Sequence, residues 1–239
     1  MVSGIVRPVF LFMLTIICAA PVMADPPDPR LAVTPALMKI FQEIDQKYPQ
    51  TSQVILVEDA VSRIDDALVA SFHKAGTSWN EAMVPALAKI GRNGLALPGE
   101  KREGDGKTPQ GIYPVGFAFG YGPNIHARIP YRQMTPDDVW VDDPESPDYN
   151  RLVKRNSTRA RSFEDMVLAD HRYKYGLVIA YNMDPVIPGI GSAIFMHVWY
   201  DAKTPTSGCI AMSEQDILRI LRWLDPEKKP LIIIGMKRK

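Results

Sequence analysis

Cysteine is nearly absent from this chain: two occur in 239 residues, Cys18 and Cys209, so a disulfide-stapled scaffold is excluded. Histidine is also sparse. None of the four histidines pairs with another, or with a glutamate, at the spacing of metal ligands on one face, and no metal is expected. An excess of charge of either sign is missing too. Lys and Arg number 28 against 27 for Asp and Glu, a net charge of +1, which implies no affinity for nucleic acid or for a membrane surface. The glycine-rich stretch from Gly91 to Tyr113 lacks a phosphate loop. Counting back from Gly106-Lys107-Thr108, the first glycine of that pattern would fall on Lys101, and Pro109 and a strand-like Ile112–Val115 follow where a helix is needed. A calcium loop is likewise missing from the acidic run Asp137–Asp148, which has neither alternating ligands nor a glycine at the turn. Beside the basic run Arg151–Arg161 it reads as one of two solvated segments of opposed charge, with a substrate-facing role for one arginine as the alternative. No cofactor is expected.

What is present begins with a core: 46% of residues are hydrophobic, and 21 prolines scattered between apolar runs exceed the usual ~5% and favour many turns. Residues 1–24 read as a secretory signal, with Arg7 at a weakly positive start, a twelve-residue apolar stretch Val9–Ala20, and Val22-Met23-Ala24 as a small-residue cleavage site. Pro8 and Pro21 bracket a run well short of the ~20 residues of a spanning helix, so no stable membrane insertion is expected after cleavage. Ile17, before Cys18, is too large for lipid attachment there. The expected organisation is a signal peptide at 1–24, a proline-rich tether with a helix at 25–50, and one domain at 51–239. The expected location is the periplasm or cell envelope. Export would leave Cys209 as the lone cysteine in an oxidising compartment, and an unpaired cysteine there needs a reason.

Thr34-Pro35 opens a helix whose Leu37, Ile40, Phe41 and Ile44 form one apolar face. Ser52–Val57, Ala67–Phe72 and Met83–Ile90 read as three strands of an antiparallel meander. The Gly91–Tyr113 stretch is expected to wall a cleft. Leu177–Ala180 is a further strand, and Ile194–Tyr200 is a β-rich run carrying His197. Ser213, with Asp216 three positions on, caps a helix with the apolar face Ile217, Ile220, Leu221 and Leu224, which Pro226 ends. Leu231–Ile234 closes the chain as a buried strand.

His197 and Cys209 lie twelve positions apart, a gap over which the chain folds back with ease. A lone cysteine is by default a small buried hydrophobe. Thr206-Ser207-Gly208, however, marks a turn rather than a core strand. A thiolate attacks a carbonyl, and an adjacent imidazole is the usual means of making one near neutral pH. His197 is the expected base and Cys209 the expected nucleophile. The N–H of Cys209, with that of Gly208, is expected to hold the oxyanion, Gly208 allowing close approach. The N-terminus of the following helix, if aimed at the sulfur, would favour thiolate. No Asp or Asn is identifiable as the group orienting the imidazole, a task a backbone carbonyl can perform. The implied chemistry is acyl transfer through a thioester.

His197, the Thr206-Ser207-Gly208-Cys209 signature and the Thr108-Pro109-Gln110-Gly111-Ile112-Tyr113 segment together resemble the YkuD-type L,D-transpeptidase catalytic domain of bacteria, from about Val54 to the C-terminus. The resemblance implies a mainly β, mixed-sheet α+β fold. It implies a peptidoglycan stem peptide as substrate, cut beside the L-centre of its third-position diamino acid, and a role in building the cell wall and cell shape. Cys209 then corresponds to the family nucleophile, His197 to its base and Gly208 to the glycine of its oxyanion site. Transfer to an amine of another stem would give a cross-link without ATP or cofactor, and carbapenem-type β-lactams would acylate the thiol. Two positions depart from the pattern: Ser207 stands where His is usual, and Ala211 where Arg is common. The gap between His197 and Cys209 is also short. These changes touch the acceptor and carboxylate side of the site, so an L,D-carboxypeptidase or amidase with water as acceptor stands as an alternative, as does a non-catalytic wall-binding module. A papain-like protease is disfavoured, because there the cysteine precedes the histidine by a long interval. Composition alone suggests Tyr113, Arg128, Tyr131, Arg132 and Trp199 as groove-lining side chains.

Overall fold

The computed structural model describes Met1, residues 34–59 and residues 62–236; apart from Met1, the signal assigned to residues 1–24 and the tether that follows lie outside them. Helix α1 (Pro35–Lys47) starts where its capping residues dictate. The Thr34 hydroxyl accepts the Leu37 N–H at 3.2 Å, and Pro35 sits in the first turn where no N–H is required. Leu37, Ile40, Phe41 and Ile44 are all buried.

Six strands follow: β1 (Gln53–Asp59), β2 (Asp66–Ala75), β3 (Ser78–Lys89), β4 (Leu95–Ala96), β5 (Thr108–Pro109) and β6 (Gly111–Gly120). β7 (Tyr131–Gln133), β8 (Asp138–Val141), β9 (Leu152–Lys154), β10 (Phe163–Asp165) and β11 (Gly176–Ile179) come next. β12 (Phe195–Val198), β13 (Ile210–Met212), helix α2 (Glu214–Trp223) and β14 (Leu231–Ile234) complete the described chain. The meander expected from the first three apolar runs is present, since β1–β2 and β2–β3 are antiparallel. β3 starts five residues before its expected beginning at Met83. Its polar first half hides the strand, and Pro85, which cannot donate to a ladder, falls within it opposite register shifts around Val69 and Ser71.

Among the described residues the main sheet runs β11-β12-β13-β3-β2-β1-β14-β6-β7, and a further pairing of β11 with β6 joins its ends into a barrel. β14 lies parallel to β1 and antiparallel to β6, so the last described strand is inserted between two earlier ones. β8 pairs with β9 and β10 in a separate three-stranded sheet. There the acidic and basic runs meet, with Lys154 on Asp138 at 2.9 Å and Arg161 on Asp143 at 3.4 Å.

Strand alternation sorts the side chains into separate cores. In β1 and β14, Ile55, Val57, Ile232 and Ile234 face the barrel interior, where Ile217, Ile220 and Leu221 of α2 join them. Val54, Leu56, Leu231 and Ile233 face the other way and are covered by α1. With both faces buried, these strands read as unbroken apolar runs, as interior strands do. α1 is fastened by aromatic contacts: Phe41 stacks on Trp79 with centroids 4.7 Å apart and meets Phe72 edge-on at 5.1 Å. The helix is thus part of the domain's packing rather than of a tether.

Phe41→Ala is expected to lower stability by about 3 kcal/mol, from lost burial and the cavity left behind. Calorimetry should show a melting temperature reduced by roughly 6–12 °C. A shift under about 2 °C would mean that α1 is not fastened by this residue.

Candidate active site

The two expected catalytic residues are brought together by strand pairing. β12 and β13 are parallel, with Met196 opposite Ile210, His197 opposite Ala211 and Val198 opposite Met212. Met196, Val198, Ile210 and Met212 point into the barrel core. The alternation therefore puts His197, Cys209 and Ala211 on the opposite face. His197 and Cys209 are diagonal neighbours there, a relation that sets Cα atoms roughly 8 Å apart from ordinary strand spacing and rise. Both line one cavity of about 510 Å³, together with Glu164, Arg172, Tyr173 and Ser207. A second cavity of about 520 Å³ lies between Tyr48–Thr51, Pro114–Gly116 and Pro230–Leu231 and holds neither a thiol nor an imidazole.

The Cys209 loop is fixed from behind. The Cys209 carbonyl accepts the Thr206 hydroxyl at 2.7 Å and the Thr108 hydroxyl at 3.4 Å, and the Thr108 oxygen in turn accepts the Gly91 N–H at 2.9 Å. The segment beginning at Thr108 thus buttresses the loop. The Gly91–Tyr113 stretch, expected to wall the cleft, contributes nothing to the lining of this cavity and packs beneath the loop instead. Its compact turns bring backbone against backbone: Gly208 has φ +150°, and a Cβ built there would lie 3.0 Å from the Lys107 carbonyl oxygen.

The thiol is buried among Phe119, Trp140, Tyr173 and Phe195. Its Sγ donates to the Ala193 carbonyl at 3.2 Å and accepts the Phe195 N–H at 3.4 Å. Burial pushes its pKa well up and the charge of Glu164 adds to this, while the Phe195 N–H, Lys101 and Arg172 offset only part. This differs from the expected helix assistance. All three residues of β13 stand between Cys209 and the Ser213 cap of α2, so that helix end is not at the sulfur.

His197 is buried as well, with Tyr173 edge-on at 5.1 Å. Its Nδ1 lies 2.7 Å from the Val198 carbonyl oxygen. A carbonyl can only accept, so Nδ1 carries the proton and Nε2 keeps its lone pair. The orienting group is thus a backbone carbonyl. Burial lowers the imidazole pKa to about 4, against the raising effect of the Val198 bond, with a further lowering by Arg172. The resting pair is therefore neutral thiol and neutral imidazole.

Of the two backbone donors expected to hold an oxyanion, the Gly208 N–H donates to Thr206 Oγ1 at 3.1 Å. The Cys209 N–H is not spent on any hydrogen bond among the described residues, which leaves it as the available donor. Among the described residues, no group of three His, Cys, Asp or Glu side chains is arranged to hold a metal ion. Tyr113, Arg128, Tyr131, Arg132 and Trp199 do not line the cavity; Arg128 pairs with Asp225 at 2.7 Å. Sequence reasoning missed Glu164, Asp170, Arg172 and Tyr173, which do line it. The one signal for them was an aromatic residue set in a charged turn just before an apolar strand.

The family model of the L,D-transpeptidase catalytic domain, YkuD, matches residues 70–233, more than half of the chain. The chain belongs to that family. The mainly β, mixed-sheet fold, with two α-helices among the described residues, agrees with this membership. No curated protein matches. Among solved structures, the helical cell shape determining protein Pgp2 from Campylobacter jejuni is similar at 16% identity and a TM-score of 0.40, over 79% of this chain and 49% of that one. This chain thus spans about half the length of that structure.

Two outcomes follow from this geometry. An unfolded His197 takes up a proton near pH 6.5, whereas the folded residue resists until about pH 4. Its contribution to stability is whole above about 6.5 and is lost as pH falls towards 4. Between pH 7 and 4.5 the loss is about 2–3 kcal/mol, and denaturant unfolding of a His197→Gln protein should show an acid destabilisation smaller by that amount. Gly208→Ala should destabilise by roughly 1–3 kcal/mol, through its φ and the Lys107 carbonyl together, measurable by the same method; an unchanged midpoint would contradict the strain.

Proposed function

We propose that this protein is an exported cysteine acyltransferase of the L,D-transpeptidase type, acting on peptidoglycan stem peptides, with Cys209 as nucleophile and His197 as general base. The observation that carries this reading is one cavity face bearing a thiol and an imidazole whose Nδ1–H is committed to the Val198 carbonyl, leaving Nε2 to take a proton. Family membership supports the reaction class. The leader read at residues 1–24 supports action in the periplasm or cell envelope, where the substrate lies.

A neutral pair reacts by moving the proton as the bond forms. Sγ must first turn from the Ala193 carbonyl towards Nε2, an adjustment common between resting and substrate-bound sites. The thiol proton passes to Nε2 while sulfur adds to the carbonyl at the L-centre of the third stem residue. The oxyanion that forms takes the Cys209 N–H. Collapse expels the amine of the residue beyond, which leaves with the proton from Nε2, and a thioester remains. An amine of a second stem then attacks the thioester, its proton travels by Nε2 to the departing Sγ, and the product is a cross-link. With water in place of that amine the same steps give a carboxypeptidase, and a carbapenem-type β-lactam would be trapped at the first acylation.

Intact-mass spectrometry with a stem tetrapeptide, with and without an added acceptor amine, tests the reading. The parent protein is expected to show an acyl adduct or to release the terminal D-amino acid, and Cys209→Ala should abolish the adduct and lower turnover roughly 10⁴-fold or more. A cross-linked product with the amine present selects transferase over hydrolase. Full turnover by Cys209→Ala would remove the thiol from the mechanism.

A further inference from the structure

The cavity carries an unequal set of charges. Glu164, Asp165 and Asp170 line it, and among its lining residues Arg172 is the one lysine or arginine. Each acid is already engaged. Asp165 pairs with Arg155, the Glu164 carboxyl accepts the Tyr173 hydroxyl, and Asp170 accepts from Arg172 itself. The last pair is one-sided. Asp170 takes Arg172 Nε at 2.7 Å and the Arg172 backbone N–H at 3.2 Å, so a single edge of the guanidinium is clipped to its own turn. The Nη1 and Nη2 donors have no partner among the described residues, and the side chain is 42% exposed. A guanidinium offers five N–H donors in a planar fork matched to carboxylate. Four of the five are unspent. Arg172 lines the same cavity as Cys209 and His197, and its charge acts on both. Opposite, on the β13 floor, Ala211 presents only a methyl group and brings no cation.

We propose that Arg172 is the specificity-determining residue of the cavity, binding a free carboxylate of the acyl-donor peptide through its Nη1/Nη2 edge while Asp170 holds the guanidinium in place. This rests on the acyltransferase reading above. A stem peptide has two carboxylates within reach of the bond to be cut, the terminal one on the departing residue and the one on the side chain of the third-position diamino acid. The chemistry of recognition is the same for both.

Three tetrapeptides separate the cases: one with both carboxylates free, one amidated at the terminus, and one amidated at the side-chain carboxylate. Acyl-adduct formation and kcat/KM are measured for the parent, Arg172→Met and Arg172→Lys. Amidation of the recognised carboxylate should lower the parent's kcat/KM roughly 10- to 100-fold, the range of a charge-assisted hydrogen-bond pair. Arg172→Met should lose about the same on the free peptide and lose nothing more when that carboxylate is amidated, because the two changes remove one interaction. Arg172→Lys, which keeps the charge but not the fork, should fall between. The arm that shows this coupling names the carboxylate. Equal losses by Arg172→Met on all three peptides, or a parent indifferent to both amidations, would overturn the assignment. Should Arg172→Met not fold, the parent's response to amidation and the Arg172→Lys protein decide alone. Absence of any adduct in the parent with all three peptides overturns the acyltransferase reading itself and this assignment with it.

Discussion

The parallel pairing of β12 with β13 is the constraint on which the site depends. Its register puts His197 opposite Ala211, and strand alternation then sends Met196, Val198, Ile210 and Met212 into the barrel core. A slip of one residue would exchange the two faces, burying His197 in the hydrocarbon interior and exposing methionine. The apolar side chains thus hold the face that bears His197 and Cys209 in place. Closure of the sheet by β6 against β11 and β14 makes that register costly to change, because every neighbour would have to shift with it.

The same burial sets the electrostatics. Removing a thiol and an imidazole from water disfavours both charged forms, which raises the pKa of one and lowers that of the other. The pair therefore rests uncharged. The Val198 carbonyl contributes by fixing the tautomer, a task that needs no carboxylate.

Much of the fold was legible because its elements carry local signals. Thr34-Pro35 and Ser213 cap helices where the sequence says they should, and Leu231–Ile234 reads as an interior strand because both of its faces are buried. β3 was only half legible, since its first half is polar and Pro85 interrupts the pattern. The Gly91–Tyr113 stretch was misplaced for a different reason. Glycines announce close approach but not what is approached, and here it is the back of the Cys209 loop rather than the cleft.

By itself the sequence determined the family, through a cysteine in a Thr-Ser-Gly turn, a histidine on a nearby strand, and the Thr108–Tyr113 segment. Residue identity and short spacing suffice there, because a thiol and an imidazole twelve positions apart need only be delivered to one face. Tertiary structure alone decided the surroundings. That Arg172, Glu164 and Tyr173 reach the cavity, and that burial raises the thiol's pKa with no help from α2, depend on contacts between segments distant in the chain. Burial and its electrostatic consequences belong to the packed assembly, and no local pattern encodes them.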